Sequence, residues 1–108
     1  MKRYMIIETR DPHEARDVDW MANLAADLHR NGGAASVILA ENGVFAARAG
    51  ASSSALQALA DVGCPVFADR YALKERGICE GDLAPGVTPA ELDIVIDALN
   101  AGASVLWR

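Results

Sequence analysis

The side chains in this sequence best suited to chemistry gather at or near one stretch, Cys64 to Ile78 (CPVFADRYALKERGI). It reads as a short buried strand, Pro65 to Ala68, that meets Asp69 and then a helix stopping at Gly77. A strand handing over to a helix leaves unsatisfied backbone N–H groups and the positive end of the helix dipole at the junction, where an anion or a thiolate is favoured. The junction residue is itself an anion, Asp69, followed by Arg70. Asp69 therefore has two readings, a carboxylate facing a ligand or the N-cap of the helix from Arg70 to Arg76. Cys64 precedes its strand, at the opposite end from the junction, and suits a structural, partly buried role. Cys79 lies in a glycine-rich loop beside Glu80 and Asp82, whose charges oppose formation of the nucleophilic thiolate.

His13, close to Asp11 and Glu14, has the chemistry of a general base or metal ligand, with an exposed loop histidine as the competing reading. The second histidine, His29, stands at a helix end and gives it no obvious partner. No GxGxxG, Walker loop, HExxH, GxSxG or CxxC occurs, so dinucleotide, nucleotide, zinc and hydrolase readings lack motif support. No metal and no cofactor are expected.

The elements that position these residues alternate along the chain. Tyr4 to Glu8 is a run of β-formers, expected as a buried, central strand of a parallel sheet. Polar Thr9 to Asp17 leads into a helix with Val18, Met21, Leu24, Ala25 and Leu28 on one stripe, capped by Asp17 and ending at His29-Arg30 before Asn31-Gly32-Gly33. Ser36 to Ala40 reads as the second strand and Glu41-Asn42-Gly43 as a turn, with one short helical turn over Val44 to Arg48. Ser54 and Gln57 form a capping box for a helix carrying Leu56, Leu59 and Ala60, closed by Gly63. Gly77 to Val87 reads as a loop with room for a strand fragment. Thr88 as N-cap, Pro89 at the first helical position and Glu91 mark the start of the last helix, and Leu92, Val95, Ile96 and Leu99 form its expected core stripe. Ile94, Ala98 and Ala101 widen that apolar face beyond one sheet contact, which suggests a second subunit against it. Ser104 to Trp107 is a terminal strand. The alternation implies a parallel sheet of four to five strands with helices on both faces. Ligands in such sheets bind at the carboxyl ends of strands, here the loops starting at Arg10, Glu41 and Asp69.

With 108 residues the chain is expected to form one domain, 1–108, able to bury a core without staples. Hydrophobic residues make up 52% but aromatics only 6%, so the core must be aliphatic, with alanine letting helices approach the sheet closely. A formal charge of -5 argues against a nucleic acid or an anionic membrane as partner. The two cysteines are expected to be free thiols in a reducing cytoplasm. The apolar run Tyr4 to Ile7 is too short for a signal h-region, and no stretch approaches a membrane-spanning length.

Gly43 to Arg48 (GVFAAR), then Gly63 to Ile78 (GCPVFADRYALKERGI), then a late helix and a strand ending in Trp107 resemble the DsrE/DsrF/DsrH-like (TusBCD-like) sulfur-relay family over nearly the whole chain. The resemblance implies a flavodoxin-like three-layer α/β/α fold and assembly as a homotrimer, a homohexamer or a heteromer with family paralogues, with sulfur-carrier proteins as further partners. Members that transfer sulfur accept a persulfide on a cysteine at the end of the third strand, eight residues before the glycine of an Arg-Gly-Ile ending. Counting back from Gly77 gives Asp69, and a carboxylate forms no persulfide. Some subunits of the heteromeric complexes lack this cysteine and serve assembly or partner docking.

The first expectation is a cytoplasmic, oligomeric, non-catalytic subunit linked to sulfur relay or oxidation. Its ligand or partner crevice would be formed by Arg10, His13, Glu41, Asn42, Arg48, Asp69 and Arg70. The alternative is a sulfurtransferase or persulfide carrier using Cys79, with Cys64 as the weaker candidate. A third is an acid/base enzyme using Asp69 and His13.

Overall fold

Five short apolar segments pair side by side, all parallel: β1 (Arg3–Glu8), β2 (Ala34–Leu39), β3 (Val66–Asp69), β4 (Val87–Ala90) and β5 (Ser104–Trp107). The structure, a computed structural model, describes residues 2–11, 17–50 and 54–108. The strand order is β4-β3-β2-β1-β5. Between the strands run α1 (Asp17–Arg30), α2 (Ser54–Asp61), α3 (Arg70–Glu75) and α4 (Asp93–Asn100), together with 3₁₀ segments at Glu41–Ala47 and Glu80–Asp82.

Alternation along each strand divides the core in two. On one face Ile6, Val37, Leu39, Val66 and Ala68 pack under Val18, Met21, Ala22 and Ala25 of α1, Ala55 and Leu59 of α2, and Ala72 and Leu73 of α3. The alanines let these helices lie close to the sheet, as the aliphatic composition requires. On the other face Met5, Ile7, Ile38 and Ala40 form a smaller cluster beneath Ile94, Val95 and Ala98 of α4. The protein is thus a three-layer α/β/α fold of flavodoxin-like type, with three helices on one side and one on the other among the described residues. Among the described residues no helix is long and apolar enough to cross a membrane.

The structure corrects the sequence reading in three places. β1 is paired on both sides, but β2 is the middle strand and β1 stands next to the β5 edge. Thr88 and Pro89 belong to β4, in register with Phe67 and Ala68, and α4 begins only at Asp93. The same residues that mark a helix start also suit an edge strand: the residue before proline is biased to extended backbone, and an edge position tolerates the missing N–H. Finally, α4 packs Ile94, Val95 and Ala98, each partly buried, against the sheet, while Leu92, Ile96 and Leu99 of the expected core stripe face solvent. The helix is apolar on two sides, and periodicity alone does not say which side meets the sheet.

Candidate functional site at the carboxyl edge of the sheet

Parallel pairing brings the carboxyl ends of β1, β2 and β3 to one edge, with the end of β2 between the other two. Directly after β2 the backbone turns sharply. Glu41 adopts φ 50°, a left-handed conformation that costs a residue with a Cβ about 1–2 kcal/mol. The 3₁₀ segment that follows folds over the end of β1, and a Cβ on Gly43 would overlap the Glu8 carbonyl oxygen. Glycine is required there by close approach of two backbones. Beneath it Glu8 is wholly buried, a carboxylate at the end of an apolar strand that the sequence reading passed over.

Asp69 ends β3 and is buried. Its Oδ2 accepts a hydrogen bond from the Ala72 N–H at 3.2 Å, so the carboxylate caps α3. Arg70, the next residue, is exposed and pairs with Glu80 through Nε to Oε1 at 3.3 Å. That pair draws the loop after α3 back alongside the helix. Arg70, Tyr71, Leu73, Lys74, Ile78, Cys79 and Glu80 are among the residues lining a groove of about 710 Å³, which brings Arg70 and Cys79 together as the sequence reading did not.

A second group joins the 3₁₀ segment to α3. Arg76 donates from Nε and Nη2 to Asn42 Oδ1 at 3.1 and 3.0 Å, and from Nη1 to the Ala72 carbonyl at 3.2 Å. Its guanidinium lies 5.9 Å from the centre of the Phe45 ring, and that of Arg48 lies 5.2 Å from it. Phe45 is therefore in cation–π range of two arginines. Arg48 also donates to the Phe45 carbonyl at 3.1 Å and bridges Leu83 through its backbone. Arg76 and Phe45 were not singled out from sequence. Phe45 lies within the GVFAAR stretch, and a helix-ending arginine gives no signal of a partner 34 residues away.

The expected crevice residues thus separate. Asn42, Arg48, Asp69 and Arg70 collect around α3 and the 3₁₀ segment that begins with Glu41. Arg10 is exposed and follows β1, where Thr9 N and Oγ1 both donate to the Arg108 carbonyl, at 3.0 and 2.5 Å. His13 lies outside the described residues. Cys64 sits at the amino end of β3, where its thiol donates to the Ala35 carbonyl at 3.2 Å, and burial pushes it up to about 11. A thiol so held stays protonated and unreactive near neutrality. Cys79 is exposed. Among the described residues no group of three His, Cys, Asp or Glu side chains could hold a metal ion.

No family model and no curated protein matches the chain. Solved structures do match. The fold is similar to that of ychN from E. coli, with a TM-score of 0.87, 20% identity and full coverage of both chains. A protein of unknown function, MTH1491 from Methanobacterium thermoautotrophicum, is similar with a TM-score of 0.79, also at 20% identity and full coverage. BT1422 from Bacteroides thetaiotaomicron, likewise described as of unknown function, gives 0.76 at 16% identity, over 99% of this chain and 95% of its own. Identities this low speak for the fold alone.

Proposed function

We propose that this chain is a small, oligomeric, non-catalytic member of the DsrE-like sulfur-relay family, a binding or assembly subunit linked to sulfur metabolism in the cytoplasm. The observation that carries this reading is Asp69. In the family register suggested by the sequence it stands at the sulfur acceptor position, and its buried carboxylate is engaged in capping α3. A carboxylate accepts no sulfane sulfur, and Cys64, buried at the far end of the strand, does not replace it. The surface left for recognition is the edge formed by Asn42, Arg48, Arg70 and Arg76.

The exposure of Cys79 and its place in the groove with Arg70 favour one second reading, a displaced persulfide acceptor. In that reaction the Cys79 thiolate attacks the outer sulfur of a donor persulfide. A new S–S bond forms on Cys79, the donor's S–S bond breaks, and the donor leaves as a thiolate. Incubation with a persulfide donor followed by intact mass measurement separates the readings. The binding-subunit reading expects no stoichiometric gain of sulfur; a one-sulfur adduct that disappears in Cys79→Ser establishes the acceptor reading instead.

A further inference from the structure

The geometry points to a head-to-tail contact in which α4 of one copy of this chain docks into the α3 groove of the next. This inference rests on the oligomeric reading above and adds which surfaces meet. Leu92 at the start of α4 and Ile96 and Leu99 on it present an apolar row to solvent, 42%, 60% and 54% exposed. Asp93 and Asp97, one position further along and four residues apart, form an acidic row beside it on the same outward side. Neither aspartate has an ion pair among the described residues.

The α3 groove has the opposite character. Leu73 and Ile78 give it an apolar floor, Tyr71 stands 69% exposed at its side, and Arg70 and Lys74, also four residues apart, supply a basic row, with Glu80 the one acidic residue of its lining. Arg70 is engaged by Glu80, whereas Lys74 has no ion pair among the described residues. In a chain of net charge -5, a basic row beside an apolar floor is matched by the chain's own acidic-apolar helix.

The two surfaces cannot meet within one molecule, because α3 packs on one face of the sheet and α4 on the other. Contact between them must join different patches on successive copies. Such a heterologous contact closes into a ring when its rotation divides a full turn and otherwise extends into a filament. A discrete assembly mass therefore indicates a ring.

The test is sedimentation velocity on wild type, Lys74→Glu, the pair Asp93→Lys/Asp97→Lys, and all three changes combined. Asp61→Lys serves as a control for net charge, and circular dichroism checks folding. Expected are a discrete wild-type oligomer, association weakened about tenfold or more toward monomer by each reversal, recovery in the combination, and no change in the control. A wild-type oligomer indifferent to both reversals, or one that the combination does not restore, overturns this arrangement and leaves the oligomeric reading standing. A monomeric wild type at tens of micromolar overturns both.

Discussion

A carboxylate at the end of β3 caps α3 in a way a thiol does poorly, because its oxygen accepts the free Ala72 N–H. Replacing Asp69 by alanine should lower stability by about 1 kcal/mol, within the usual range for a lost N-cap, while Asp69→Asn should retain most of it. Denaturant melts of the two variants check this, and equal losses would mean that capping is not what position 69 contributes. The cysteines should differ sharply. Near neutral pH the native protein should take up one equivalent of an alkylating reagent, at Cys79, with Cys64 reacting only after unfolding; mass mapping reads this directly. Burial holds the folded Cys64 thiol near 11 against 9.0 in the open chain, so above pH 9 the unfolded state loses its proton first. Its contribution is complete below pH 9 and falls as pH rises to 11, by up to ~2–3 kcal/mol. Cys64→Ala should flatten that part of the stability profile. Asp69 was legible in the sequence as a possible cap because the capping rule is local. The Asn42–Arg76 pair was not, since it depends on two segments meeting in space.

At the scale of elements, β1, α1, β2, α2, β3 and α3 follow the sequence pattern closely, since the strands are short continuous apolar runs that feed both faces of the sheet and the helices each carry one apolar side. The failure at β4 and α4 has a physical cause. Thr88-Pro89 satisfies the rules for a helix start and for an edge strand equally, and the choice is made by pairing with Phe67 and Ala68 of β3. The 3₁₀ segment after β2 is the tightest connection at the site. Gly43→Ala should destabilise by about 1–3 kcal/mol, because the added methyl meets the backbone of β1 rather than a movable side chain. By contrast Glu41→Gly, which relieves a left-handed conformation, should leave stability unchanged or slightly raised. Thermal melts of the two variants, one falling and one not, are the expected pair of results.

For the whole molecule, the unequal layers matter most. Among the described residues three helices and a 3₁₀ segment cover one face of the sheet, one helix covers the other, and Trp107 is 69% exposed on the edge strand β5. The sequence announced an excess of apolar surface on the last helix, but not which side of it remains outside. On the reading proposed above, that surface and the side chains of Asn42, Arg48, Arg70 and Arg76 would hold partners, and the buried Asp69 carboxylate would cap α3 where a sulfur carrier has its cysteine. The most direct measurement is sulfur loading by intact mass, comparing wild type with Asp69→Cys under one persulfide donor. The account predicts that wild type gains no stoichiometric sulfur and that Asp69→Cys gains one atom. Stoichiometric loading of the wild type, abolished by Cys79→Ser, would contradict it.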